Sequence, residues 1–350
     1  MGSIDTFIEQ LPKVELHVHL VGSASVPTVL ELARRHPESL VPRTEAGLRA
    51  FYEFRDFPHF AEVYGAVSSL VREPEDVATL VVGIARDLAA QNVKYVELTV
   101  TPAALTGGHG PRAPGHVPAG MPVTAVTEAL DIAEREALAR YGIRMAYIFD
   151  IAGEYGSVAA RATFDHAVSR PPAALIGFGL GGIEQARSAC ADALREVFGA
   201  AAAAGLHSVP HAGEMSGPET IWEAIDGLGA ERIGHGISCL SDPRLVARLR
   251  ESQTPLEVCP TSNVCTGQVP DLAAHPLPRM LAEGLFVTLN SDDPPMFGTS
   301  LNEEYRRAAA AFGLGRPELA ALAVNGVRAS FLGDSAKKEL IEDILHLAAA

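Results

Sequence analysis

The sequence predicts an α/β fold, a closed (β/α)8 barrel of the TIM type with extra C-terminal helices. Three observations carry this. Eight short apolar runs of strand character alternate with stretches of helical periodicity. Such alternation builds parallel sheets, and eight units close a barrel. No linker or second core interrupts it, so positions 1–350 read as a single domain. The competing architecture is a doubly wound open sheet. The Gly-rich stretch 177–182 does not favour it, because it lacks a GxGxxG fingerprint opening a helix.

The first strand is the run 14–20, Val-Glu-Leu-His-Val-His-Leu. After the loop 21–25 a helix is expected at 26–35, with Ser25 as N-cap and Pro27 in its first turn. The segment 43–72 is helical in pattern and unusually aromatic, with Phe51, Tyr52, Phe54, Phe57, Phe60 and Tyr64. A helix at 75–91 leads into the second strand at 93–100, and a Gly/Pro-rich excursion occupies 106–121. Regular alternation follows: helix 123–140 and strand 144–151, helix 157–169 and strand 174–180, helix 186–204 and strand 206–210. Then come helix 218–228 and strand 232–234, helix 243–251 and strand 256–258, helix 277–283 and strand 285–289. The tail, 300–350, reads as three helices that pack outside the barrel or cap it.

Composition narrows the function. The net charge of −15 argues against a nucleic-acid backbone or an anionic membrane as partner, and a small molecule fits better. The Ala-rich run 200–205 is too short to span a bilayer. The first residues lack a basic stretch followed by an apolar core, so no secretory signal is expected. Cys190, Cys239, Cys259 and Cys265 show neither CxxC spacing nor a disulfide framework, which makes a reduced, cytoplasmic setting the expectation. The sequence is neutral on oligomeric state.

In a barrel the chemistry sits where strands end. Alternation puts His17 and His19 on one face of the first strand, a geometry that suits one metal ion or a pair of core histidines. Further ends carry Gly181-Gly182-Ile183-Glu184, His211-Ala212-Gly213-Glu214, Gly234-His235-Gly236, Cys259-Pro260-Thr261-Ser262-Asn263 and Asn290-Ser291-Asp292-Asp293-Pro294. Each alone passes for a turn, but their recurrence at successive strand ends does not. His17, His19, His211 and Asp292 together suit zinc or another divalent first-row ion with a position open to water. The four lysines, Lys13, Lys94, Lys337 and Lys338, include none on the fourth strand, so no carboxylated lysine bridges two metals and one ion per chain is expected.

The strings VELHVHL, HAGE, RIGHG, CPTSN and NSDDP, in this order over nearly the whole chain, resemble the adenosine/AMP/adenine deaminase family of the amidohydrolase superfamily. The PCxxC pair of the cytidine-type zinc deaminases is absent. The resemblance implies that His17, His19, His211 and Asp292 hold zinc, that Glu214 protonates purine N1, and that His235 orients and deprotonates the water at the metal. It further implies that Asp293 hydrogen-bonds N7 and the backbone N–H of Gly182 meets N3, while Glu184 matches the family's acidic position after that glycine.

The chain departs from adenosine deaminases after the second histidine. They read His-Leu-Asp-Gly, whose Asp holds the ribose 5′-hydroxyl; here the string is His19-Leu20-Val21-Gly22. A valine leaves a 5′-hydroxyl unpaired, at a cost of roughly 1–3 kcal/mol, and tolerates a carbon substituent. The Val-Gly-Ser-Ala-Ser loop resembles the actinobacterial branch that acts on 6-amino-6-deoxyfutalosine, on the futalosine route to menaquinone. The expectation is therefore deamination at C6 of a 5′-substituted adenosine, with adenosine itself as the alternative. Free adenine, or a non-catalytic metal-binding role, stands further back. The aromatic segment would close over the substrate's aryl group, with Arg55 as partner for its carboxylate.

Overall fold

The computed structural model describes residues 3–107 and 120–350. Of the excursion 106–121, positions 108–119 lie outside the described residues. Eight parallel strands run in chain order around the sheet: β1 Lys13–His19, β2 Val93–Val100, β3 Arg144–Ala152, β4 Leu175–Gly181, β5 His207–Ala212, β6 Ile233–His235, β7 Leu256–Val258 and β8 Val287–Leu289. The seam between β8 and β1 lies just past β8. There Val18 bridges Asp292 in parallel, Asp292 N–H donates to His17 C=O at 2.9 Å, and His19 N–H donates to Asp292 C=O at 3.4 Å. The contact that closes the barrel thus also joins the HxH strand to the Asp292–Asp293 pair.

Helices form largely where periodicity and caps place them. The helix Val26–Arg35 starts after Ser25 with a proline in its first turn, although Ser25 makes no side-chain cap bond. The stretch 43–72 is two helices, Glu45–Phe51 and Phe57–Ser68, because Asp56 ends the irregular link by accepting from His59 N–H and Pro58 starts a new first turn. The stretch 186–204 begins as a 3-10 segment, Glu184–Cys190, before the α-helix Ala191–Ala203. A short helix, Pro260–Cys265, follows β7 directly and carries the Pro-Thr-Ser-Asn string. The tail forms three helices, Leu301–Phe312, Arg316–Ala329 and Asp334–Ala349. The middle one packs on β1 and β8, with Asn325 Nδ2 donating to Val287 C=O at 3.0 Å. Among the described residues no helix is long and apolar enough to cross a membrane.

The barrel interior is not wholly apolar. Glu15, Glu97, Arg232 and Glu257 are charged residues at the start of, or within, otherwise apolar strand runs, and all are buried. Arg232 donates Nη2 to Glu97, Nε to Glu257 and Nη1 to the C=O of Ala329 at the end of the middle tail helix. Glu97 also accepts from Phe331 N–H at 2.8 Å. A buried guanidinium is tolerable only with such partners, and here they link the C-terminal helices to the barrel interior.

Candidate active site

The strand ends open into a cavity of about 390 Å³. His19, His211, Glu214, His235, Asp292, Asp293 and Gly182 all line it. His17 lies just beneath, buried. Three histidine Nε2 atoms and one carboxylate oxygen converge here. His19 Nε2 is 3.3 Å from His211 Nε2 and 3.2 Å from Asp292 Oδ1, and His17 Nε2 is 3.7 Å from the same oxygen. Tetrahedral ligands at zinc distances stand about 3.3 Å apart.

Three further observations fit a cation. His17 Nε2 is buried without a hydrogen-bond partner. Its other nitrogen, Nδ1, donates to Glu257 Oε2 at 2.9 Å, which turns Nε2 toward the cluster. Burial opposes positive charge on His19, yet the carboxylates of Asp293 and Asp292 raise its pKa to about 10, so the local field calls for a cation. Asp292 Oδ2 is held separately, accepting from Ser262 Oγ at 2.6 Å. Asp292 and His235 both have φ in the left-handed region, 65° and 62°, two of four such non-glycine residues among those described. Left-handed backbone of this kind costs on the order of 1–3 kcal/mol and persists where neighbours enforce it.

Glu214 follows β5 after the positive-φ Gly213. Burial raises its pKa to about 7, so it holds a proton near neutrality. Its backbone N–H donates to Glu184 Oε1 at 3.0 Å, and Thr220 Oγ1 donates to Glu184 Oε2 at 3.3 Å. Glu184, buried, is thus an anchor for the Glu214 turn. Asp293 presents an unpartnered buried Oδ1, and burial beside Asp292 holds its pKa well above the ordinary carboxylate range. Gly22 permits this position. A Cβ there would lie 1.6 Å from Asp293 Oδ1. Gly182, at φ 70°, ends β4 in a turn tied by Ile183 N–H to Glu154 Oε2 at 2.9 Å. Arg187 braces both strand ends, donating Nη1 to His211 C=O at 2.6 Å and Nη2 to Gly181 C=O at 3.1 Å.

The outer wall is aromatic. Phe57, Phe60 and Tyr64 from the helix Phe57–Ser68 line the cavity with Phe297, whose ring centroid is 5.2 Å from that of Phe60. Two expected substrate contacts are not brought to this wall. Val21 is buried in the apolar core and is not among the lining residues, because the turn spends its close approach on Gly22 and Asp293. Arg55 is exposed in the link before the aromatic helix and does not line the cavity. Conversely, Asp150 lines the cavity unforeseen: it lies two residues before the end of β3, is buried, and accepts from Thr101 Oγ1 at 2.6 Å. Its signal was a lone acid near the end of an apolar strand, as Glu257's was a lone acid within one.

A parallel barrel whose strand ends gather four histidines, a buried protonated acid and an aspartate pair defines a hydrolase of the amidohydrolase class. The chain belongs to the adenosine deaminase family, whose sequence model, described as adenosine deaminase, matches residues 12–347. It is 46% identical over 349 residues to the aminodeoxyfutalosine deaminase of Streptomyces coelicolor, covering 99% of this chain and 87% of that one. Among solved structures it is similar to the adenine deaminase of Arthrobacter aurescens, with TM-score 0.88 and 30% identity over 97% of this chain and 100% of that one. It is also similar to an amidohydrolase of Burkhoderia ambifaria with bound Zn, with TM-score 0.85 and 27% identity over 100% of this chain and 96% of that one.

Proposed function

We propose that this enzyme hydrolytically deaminates 6-amino-6-deoxyfutalosine, exchanging the purine 6-amino group for oxygen and releasing ammonia and futalosine, a step toward menaquinone. The observation that carries this reading is the 46% identity, over 99% of the chain, to an enzyme of that activity. The site supports the chemistry. His17, His19, His211 and Asp292 would hold one zinc ion, in a chain read as a single domain working in the cytoplasm. Zinc, when bound, would supply a water of pKa about 7.

The protein groups divide the rest of the reaction. Glu214, carrying a proton near neutrality, sits across from His235 at 3.5 Å and donates to N1 as C6 becomes tetrahedral. Breaking the ring's aromaticity puts charge on N1, and this proton neutralises it. Asp293 serves N7, which is an acceptor, as the protonated acid. The Gly182 N–H serves N3, also an acceptor. The ribose and its 5′ group then extend toward the side walled by Thr101, Asp150 and the aromatic helix.

The test is a substrate panel with purified, zinc-loaded enzyme: aminodeoxyfutalosine, 5′-methylthioadenosine, S-adenosylhomocysteine, adenosine and adenine. Aminodeoxyfutalosine should give the highest kcat/KM. A higher value for adenosine or adenine would overturn the substrate assignment and leave the deaminase chemistry standing.

A further inference from the structure

We infer that Asp150, with Thr101 beside it, reads the secondary hydroxyls of a ribose ring, so that the cavity recognises a ribonucleoside by its 2′,3′-diol and leaves the 5′ carbon free to carry other groups. The pose of the purine rests on the deaminase reading; the unpaired acceptor does not.

Asp150 is a buried carboxyl in an apolar strand, and it lines the cavity. A group so placed needs donors. Oδ1 has one, Thr101 Oγ1 at 2.6 Å. Thr101 stands at the N-cap of the short helix Pro102–Thr106, where a threonine hydroxyl ordinarily accepts from the first turn. Here it makes no cap bond, and its hydrogen is committed to Asp150. Among the described residues nothing donates to Oδ2.

The neighbouring strand is cut back around this carboxyl. Asp150 pairs with Gly179 across β3 and β4. A Cβ on Gly179 would lie 3.2 Å from Asp150 Cβ, and one on Gly181 would lie 2.9 Å from Asp150 Oδ2. Residues two apart share one face of a strand, so both glycines clear the same side. Glycine inside a strand weakens it and marks a place where another group comes close. The Gly-rich stretch 177–182, which carries no dinucleotide fingerprint, has a use in this: it gives Asp150 room beside the cavity.

The chemistry of the substrate says what fills that room. Gly181 directly precedes Gly182, whose N–H serves purine N3. N3 lies on the sugar edge of the base, two bonds from the N9 that bears ribose. A donor near Oδ2 therefore comes from the ribose. A 5′-substituted adenosine has no 5′-hydroxyl, so its sugar offers two donors, the 2′ and 3′ hydroxyls. The wall offers two acceptors to match, Asp150 Oδ2 and the lone pairs of Thr101 Oγ1, whose hydrogen is already spent. Val21, in the core, leaves the 5′ position unread. Free adenine would leave Asp150 unpaired.

The experiment measures binding by calorimetry to zinc-loaded protein. The probes are purine riboside, which has no 6-amino group to lose, and its 2′-deoxy and 3′-deoxy forms. Losing a hydroxyl that pairs a buried acceptor should weaken binding by about 10- to 100-fold for at least one deoxy form. Both deoxy forms binding as tightly as the riboside would overturn the inference. In Asp150→Ala the contrast between riboside and deoxyriboside should collapse. A carboxyl that only steadies the neighbouring histidines would instead weaken all three probes alike and leave the contrast intact, and that result would remove Asp150 from the sugar. If the alanine variant does not fold, Asp150→Asn keeps the size and the Thr101 bond but presents an amide NH2 to the sugar. Its contrast should shrink, and an unchanged contrast counts against Asp150. No probe is turned over, so a failure here is separate from a failure of the deaminase reading, which would show as no deamination in the substrate panel.

Discussion

The cavity has two ends built on different principles. At the metal end four groups are each held by a second buried group: His17 by Glu257, His235 by Asn263, Asp292 by Ser262, and the Glu214 turn by Glu184. At the nucleoside end the wall is mostly rings packed on rings, with Phe60 meeting Phe54, Phe57, Tyr64 and Phe297 at centroid distances between 5.2 and 5.8 Å. Polar networks fix one geometry and fail sharply when one member goes, because the remaining buried groups are left unpaired. Aromatic walls grade recognition by area and shape. Changes at the metal end should therefore abolish or misdirect chemistry, and changes at the aromatic end should re-rank substrates.

The largest effect is expected from Glu214→Gln. The amide cannot deliver the N1 proton, so kcat should fall by about 10²–10⁴-fold while zinc content and melting temperature stay near wild type. The wild-type enzyme should also lose kcat/KM as pH rises through about 7, because burial has raised the Glu214 carboxyl to that value and only its protonated form donates. The variant should lack this limb. Near-normal turnover in the variant would show that the acid lies elsewhere.

Next is Gly22→Ala. Its Cβ would sit 1.6 Å from Asp293 Oδ1, so Asp293 or the turn must move by more than an ångström. Displacements of about 1 Å in a positioning group cost on the order of 10²-fold, and kcat/KM should fall by that order without loss of zinc. Glu257→Gln should act differently. It keeps a hydrogen bond to His17 but removes the charge that opposes the metal across the ring. Zinc affinity, read by competition with a chelator, should weaken about 10–100-fold. An unchanged affinity would mean that Glu257 serves only to neutralise Arg232.

The same division governs how much could be read from the sequence. HxH alternation, HAGE, GHG and DDP placed every metal-end residue at a strand end, because those side chains are fixed by strand period and by turn residues adjacent in the chain. The partners behind them were harder to see. Glu257, Arg232 and Glu97 were visible as charges in or beside apolar strands, but which ones meet depends on barrel closure, across separations of 25 and 135 residues. At the nucleoside end, Val21 and Arg55 were placed by analogy of position, and neither lines the cavity. A one-residue difference in a turn decides whether a side chain faces core or cavity, and here Gly22 makes the close approach that Val21 was expected to make. The aromatic segment was visible as composition, yet the break at Asp56 that aims Phe57 inward is a capping event of three residues.

The smallest effect, and the one that bears most directly on substrate identity, is expected at Phe57. It is partly exposed at the start of the helix Phe57–Ser68 and lines the cavity, whereas Phe60 behind it is buried and shared among four rings. Phe60→Ala would confuse recognition with lost core packing, so Phe57→Ala is the cleaner probe. If this wall stacks on a 5′ aryl group, the variant loses one aromatic contact, about 0.5–1.5 kcal/mol, for aryl-bearing substrates alone. The ratio of kcat/KM for aminodeoxyfutalosine to that for adenosine should then drop by about 2- to 12-fold, mostly through KM. Arg55→Ala, exposed and away from the wall, should leave the ratio unchanged. A drop for Arg55→Ala larger than that for Phe57→Ala would reverse the comparison, because it would mean that charge at the cavity mouth, and not aromatic area, selects the 5′ group.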